Sequence, residues 1–352
     1  MSWENNVRKV VPYVAGEQPK EQNVIKLNTN ECPYPPAPEV EAVLNSFDYN
    51  MLRKYPDPDV SDLVSVLAKR HNLSEKNVFV GVGSDDVLAM AFLTFFNSDK
   101  PILFPDITYA FYDVWADLYR IPYEAQPLDE NFCVKKEDYL KANGGIVIAN
   151  PNAPTGVMAD IAVLEEIIQK NSDSVVIIDE AYVDFGAQSC VELISKYDNL
   201  IVTQTFSKSR SMAGMRIGYA MGSQKLISYL NDAKFSFNSY TMNMTAIVAG
   251  VASVENEKYF KDTVNKVIAT RERVKTELAR LDFEFTDSKT NFIFAKHKRV
   301  SGQEIFEALR QNNIFVRHWN KPRIADYLRI SIGTDAEMDT VIEFLEKYLS
   351  DK

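Results

Sequence analysis

Val175-Val176-Ile177-Ile178-Asp179-Glu180-Ala181-Tyr182 is the stretch from which the rest of the sequence is most easily read. An unbroken run of β-branched residues ends abruptly in two acids. A strand with one wet face alternates apolar and polar side chains, whereas a continuous run has both faces covered, as in a parallel sheet between helices. Similar short runs lie on either side: Val78-Phe79-Val80, Ile102-Leu103-Phe104, Ile146-Val147-Ile148, Leu200-Ile201-Val202 and Ile217-Gly218-Tyr219-Ala220. Helical spacing separates most of them. It appears over Asp62 to Asn72, over Val87 to Phe96 behind a Ser84-Asp85-Asp86 start signal, over Tyr109 to Leu118, and over Ile161 to Lys170. The fold class expected is α/β, with a mainly parallel sheet between helices.

The flanks read differently. Pro33, Pro35, Pro36, Pro38, Pro56 and Pro58 make the first 60 residues loop-rich, with room for one helix from Pro38 to Phe47. Residues 256–280 form a long amphipathic helical pattern. After it come strand signals at Asn291 to Ala295, Ile314 to Arg317 and Tyr327 to Ile332, with helices at Gly302 to Gln311 and Asp335 to Leu349. We therefore divide the chain into an N-terminal arm (1–30), a large domain (31–250) and a smaller α+β domain (251–352).

The 352 residues are 46% hydrophobic and 25% charged, ordinary globular usage that excludes a disordered or collagen-like chain. A net charge of −10 argues against nucleic acid or an anionic membrane as the main partner. Cys32, Cys133 and Cys190 are scattered and odd in number, which suggests reduced thiols. His71, His297 and His318 have no zinc-ligand spacing, so no metal is expected. The N-terminus lacks the plan of a signal peptide and no apolar run reaches ~18 residues. A cytoplasmic protein is expected.

Four segments carry chemistry. Gly81-x-Gly83 follows a strand, but Asp86 stands where a dinucleotide fingerprint needs its third glycine. What remains is a strand, two glycines and Ser84 at a helix start, which reads either as a plain N-cap or as an anion site. Asp179 follows a buried strand, where α/β sheets place ligands, or else caps the next element. Asn150-Pro151-Asn152-Ala153-Pro154-Thr155-Gly156 reads as a rigid turn. Thr205-Phe206-Ser207-Lys208-Ser209-Arg210-Ser211-Met212-Ala213-Gly214-Met215-Arg216 sets a lysine in a Ser/Gly-rich loop after a strand, with an arginine close behind. Most lysines are solvated surface residues, but one held in such a loop can offer its amine as a nucleophile.

Together, and in their order along the chain, the four segments resemble fold-type I, pyridoxal-phosphate-dependent aminotransferases over nearly the whole chain. Val11-Pro12-Tyr13, Leu27-Asn28-Thr29-Asn30-Glu31 and Arg53-Lys54-Tyr55-Pro56-Asp57 narrow the resemblance to the histidinol-phosphate aminotransferase family. The cofactor, pyridoxal 5′-phosphate, is an aldehyde on a pyridine ring with a phosphate handle. The resemblance implies that Lys208 binds the aldehyde as an imine and then moves a proton as general acid and base. It implies that Asp179 pairs with the ring nitrogen, that Tyr182 donates to the ring oxygen O3′, and that Tyr109 stacks on the ring. Ser84, Asp85, Ser207 and Arg216 would hold the phosphate. Tyr55 would reach it from a second subunit, which implies a homodimer with shared active sites.

Arg317 and Arg329, with Tyr13 and Asn291, would line the substrate site. They would hold the phosphate of histidinol phosphate in one half-reaction and a carboxylate of glutamate or 2-oxoglutarate in the other. By its own position, Arg317 also reads as a surface charge on a strand end. One departure matters: the family has asparagine before Pro-Thr-Gly, bonded to O3′, and here that position is Ala153. Asn152 is the neighbouring candidate for a cofactor contact, although on an extended segment its side chain faces the other way. The function implied is transamination of histidinol phosphate in histidine biosynthesis. The rivals are a threonine-phosphate decarboxylase or an aromatic or broad-specificity aminotransferase on the same scaffold. A binding module that keeps the cofactor without turnover is disfavoured by the presence of Lys208, Asp179 and Arg216 together.

Overall fold

The computed structural model describes residues 2–20, 23–350 and 352. In chain order its strands are β1 (Ile25–Lys26), β2 (Val78–Gly81), β3 (Ile102–Pro105), β4 (Tyr123–Gln126), β5 (Gly145–Ala149), β6 (Val176–Asp179), β7 (Leu200–Thr205), β8 (Gly218–Gly222), β9 (Phe283–Phe285), β10 (Phe292–His297), β11 (Ile314–Phe315), β12 (Arg317–His318) and β13 (Leu328–Ser331). The α-helices are α1 (Pro38–Asn45), α2 (Ser61–Arg70), α3 (Ser84–Phe95), α4 (Tyr112–Tyr119), α5 (Ile161–Lys170), α6 (Gln224–Phe237), α7 (Met244–Glu255), α8 (Glu257–Arg280), α9 (Gly302–Gln311) and α10 (Asp335–Ser350).

β2 to β8 form one sheet in the order β2-β8-β7-β6-β5-β3-β4. Neighbours are parallel except where β8 pairs with β2 and β7, so β8 alone runs against the rest. Apart from the edge strand β4, successive residues of each strand enter different cores, as the pleat requires. Val80, Ile146, Ile148, Ile178 and Val202 pack with Leu63 and Leu67 of α2, Leu164 and Ile167 of α5, and Ala246 and Ala249 of α7. Phe79, Val147, Ile177, Ile201 and Ala220 pack on the other face with Val87 and Phe92 of α3, Trp115 of α4 and Leu230 of α6. Two-sided burial accounts for the unbroken apolar runs.

The smaller unit holds the antiparallel sheet β12-β13-β10-β9. Its core joins Val267 and Leu278 of α8, Ile293, Ile305, Ile330 and Leu345. The arm is not wholly separate from this unit. β1 pairs in parallel with β11, Leu27 shares the small-unit core, and Ser331 N donates to Leu27 O at 3.0 Å. Among the described residues no helix is long and apolar enough to cross a membrane.

Because six of the seven strands point the same way, their C-terminal ends share one edge of the sheet. Register brings the motifs together there: Gly218 faces both Gly81 and Thr205, and Asp179 faces both Ala149 and Thr203.

Candidate active site

Two glycines let three loops meet at this edge. Gly83 has φ +89°, and a Cβ on it would lie 2.5 Å from Arg216 Nη2. A Cβ on Gly218 would lie 2.2 Å from Ser84 N. The backbone N–H groups of Ser84 and Asp85 open α3, where a helix has no internal acceptor to offer them. Ser207 Oγ accepts from the Thr205 hydroxyl at 3.0 Å, which leaves its own proton to give. Arg216 Nη2 lies 3.3 Å from Asp85 Oδ2, in a pair whose side chains are 44% and 41% exposed. Such a wet pair is weak and easily exchanged for a better anion. A helix N-terminus, a hydroxyl and a guanidinium form a donor set suited to a phosphate.

Asp179 ends β6 and is buried. Its Oδ2 accepts from Tyr112 Oη at 2.8 Å and its Oδ1 from Thr203 Oγ1 at 3.3 Å. Burial pushes its carboxyl up to about 6, against the pull of those two donors and with the Asp85 charge adding to the rise. No described side chain gives it an ion pair, so a ring nitrogen carrying a proton fits the place. Tyr109 follows β3 and donates to Asp85 Oδ1 at 2.7 Å, which joins this carboxylate region to the anion site.

A cavity of about 380 Å³ opens beside these groups, lined among others by Tyr109, Ala153, Tyr182, Lys208, Arg317 and Arg329. Lys208 Nζ donates to Thr29 O at 3.1 Å and stands 5.7 Å from the Tyr182 ring centre. Arg329 Nη2 donates to Asn28 O at 2.7 Å, while its Nε is buried without a partner. Burial holds the Arg329 guanidinium below its usual range, and the Arg317 charge pushes the same way. Both guanidiniums lie over Trp319, at 5.5 Å for Arg317 and 5.3 Å for Arg329. Two cations that repel each other across one cavity, one with an orphaned donor, are relieved by an anion. Tyr13 also lines the cavity, stacked on Phe111 at 4.2 Å.

Two expectations need correction. Asn152 is turned away from the cavity: its Nδ2 donates to Ile107 O and Thr155 Oγ1, both at 2.9 Å, and its Oδ1 accepts from Thr108 at 2.8 Å. With one donor engaged in its own turn and the other on the segment after β3, it has none for a cofactor. Asn291 is fully buried behind Asn30, donating to Asn30 O at 2.9 Å, and does not line the cavity. Tyr55 also stands apart from this cavity, 78% exposed and stacked on Tyr240.

The sequence reading gave no role to Tyr112, Asn30, Trp319 or Arg323. Tyr112 lies one helical turn from Tyr109 on a segment already expected to be helical, which was the available signal. Arg323 had none, because its partners are distant in sequence. Its Nη1 is 3.1 Å from Asp106 Oδ2 and its Nη2 donates to Leu128 O and Asp129 O at 2.9 and 2.6 Å. It thereby fastens the loop between β12 and β13 to the large unit at the cavity rim. Arg323→Ala is expected to speed local opening of this loop about tenfold, for loss of charge-assisted bonds worth ~1.5 kcal/mol. Amide hydrogen exchange over residues 319–327 measures it, and unchanged exchange there means the loop is held by other contacts.

The family described as aminotransferase class I and II matches residues 22–345. The histidinol-phosphate aminotransferase of Lactococcus lactis subsp. cremoris (strain MG1363) is 53% identical over 352 residues, covering 100% of this chain and 99% of its own. That of Acinetobacter baylyi is 48% identical over 351 residues, covering 99% and 97%. Among solved structures, histidinol-phosphate aminotransferase from Sinorhizobium meliloti in complex with pyridoxal-5′-phosphate superposes with a TM-score of 0.85 at 23% identity, covering 93% of this chain and 91% of that one.

Proposed function

The chain belongs to the class I and II aminotransferases, and from that premise we propose that it moves an amino group between histidinol phosphate and 2-oxoglutarate, giving imidazole acetol phosphate and glutamate. Pyridoxal phosphate, when bound, supplies an electron sink for the bond being broken at the substrate's Cα. The rest falls to the chain. Ser84, Asp85, Ser207 and Arg216 hold the cofactor phosphate, and Asp179 keeps the ring nitrogen protonated. Tyr109 covers the ring and Tyr182 donates to its oxygen. Lys208 takes the proton from Cα and returns it on the other side of the transfer.

The observation that carries the substrate reading is the placement of Arg317 and Arg329 in the Lys208 cavity. Histidinol phosphate has a phosphate where an amino acid has its carboxylate, so the same two guanidiniums serve both half-reactions. The exposure of Tyr55 supports a homodimer in which this residue closes the phosphate site of a second copy. A biosynthetic role of this kind belongs in the cytoplasm.

The test compares donors. Arg329→Ala is expected to weaken both half-reactions, and Arg317→Ala to penalise histidinol phosphate more than phenylalanine. Loss of one charge-assisted arm is worth ~1.5–3 kcal/mol, about ten- to a hundredfold in kcat/KM. Equal loss for the two donors after Arg317→Ala, or carbon dioxide released from threonine phosphate, would overturn the substrate assignment.

A further inference from the structure

Ala153 leaves the cofactor's ring oxygen without the side-chain amide donor that its position would otherwise supply, and Asn152 is engaged elsewhere. Tyr182 is then the side chain left to serve that oxygen, and the direction of its single proton decides whether it does. That direction is set by Asn30. Asn30 N donates to Ser331 Oγ at 3.0 Å, and the Ser331 hydroxyl donates to Asn30 Oδ1 at 2.9 Å. With its oxygen committed to Ser331, the amide must present Nδ2 to Tyr182, and Nδ2 does donate to Tyr182 Oη at 2.9 Å. Asn291, buried behind, fixes the backbone by donating to Asn30 O at 2.9 Å.

Tyr182 Oη makes no other hydrogen bond among the described residues. Having accepted the amide proton, it cannot donate back along the same line, so its own proton is left for the cavity that Tyr182 lines. An O–H that is already accepting a hydrogen bond is also a better donor. We propose that Asn30 is a positioning residue for the reaction, acting through Tyr182: it aims and strengthens the hydroxyl that serves the ring oxygen, in place of the amide missing at Ala153. This rests on the aminotransferase reading above.

The test reads colour rather than turnover. Donation to the ring oxygen draws off negative charge that would otherwise hold the proton on the lysine-bound cofactor, and so keeps the pH midpoint of its yellow-to-colourless change low. Asn30→Ala is expected to raise that midpoint by about half a unit to one unit, the size of one neutral hydrogen bond. Ser331→Ala, which frees the amide to turn over, is expected to raise it less and carries the test if Asn30→Ala does not fold. Tyr182→Phe raises it too, and in that background Asn30→Ala adds nothing. An unchanged midpoint in the folded Asn30 and Ser331 variants, or a full shift that persists without the Tyr182 hydroxyl, overturns the proposal. Failure of the parent protein to develop colour with pyridoxal phosphate would instead overturn the reading on which it rests.

Discussion

Lys208→Ala is expected to lower turnover by at least about a thousandfold, the scale of losing a positioned general acid and base. The effect is large because no other described amine stands where its amine does. Lys26, beside Thr29 in the arm segment, is bonded to both Thr29 and Glu31. Lys321 lies on the exposed rim. Borohydride treatment of the loaded parent is expected to fix the cofactor on the peptide that carries Lys208, and added methylamine to restore part of the lost rate in the variant. Label on any other lysine, or turnover in Lys208→Ala near that of the parent, would reassign the nucleophile.

The second large effect concerns Asp179 and runs against the usual behaviour of carboxylates. Burial raises its carboxyl from 3.8 to about 6, so the folded, cofactor-free protein holds this proton more tightly than the unfolded chain does. The folded state therefore binds the extra proton between those values, and its stability falls as pH rises through them. A shift of two units corresponds to about 3 kcal/mol, which Asp179→Asn is expected to remove. The neighbouring Glu180, raised to about 7 by burial, slopes the same way and persists in the variant. Denaturant unfolding of both cofactor-free proteins from pH 4 to 8 isolates the Asp179 part as their difference. Parallel curves would mean that Asp179 is ionised throughout. A buried negative charge that is costly above pH 6 is one that a ring cation would neutralise.

Legibility followed locality. Strands buried on both faces declared themselves as unbroken apolar runs, and helices such as 161–170 and 302–311 by their spacing. β4, Tyr-Glu-Ala-Gln on the edge of the sheet, is largely exposed and has no such run. α7 is apolar nearly all round and packs against α1 and α2, so it shows no stripe to read. Likewise Lys208, Asp179 and Arg216 sit in contiguous motifs at strand ends and were visible. Asn30 and Arg323 bond through their side chains to residues far away in sequence, which no local pattern encodes, and Tyr112, though it falls on an expected helix, meets Asp179 67 positions on. Asn152 shows the converse limit: the turn was visible in the sequence, but the bonds that tie its amide to Ile107 and Thr108, on a distant segment, were not.

The joining of the arm to the small unit has a consequence for how the protein is made. Asn30 and Ser331 are 301 positions apart, yet they share two hydrogen bonds, and Lys208 donates to the carbonyl of Thr29 next door. At synthesis rates of about 5–20 residues per second, residues 27–30 wait roughly 15–60 s on the ribosome before their partners on β13 exist. The large sheet has all its strands long before then and is free to fold in the interval. Closing so long a loop adds little to the final stability penalty, since that cost grows only with the logarithm of length, but it delays the last step. Lys208 thus acquires its surroundings only when both ends of the chain have met. A partly made chain carries the whole anion site on its sheet edge without a finished cavity beside it.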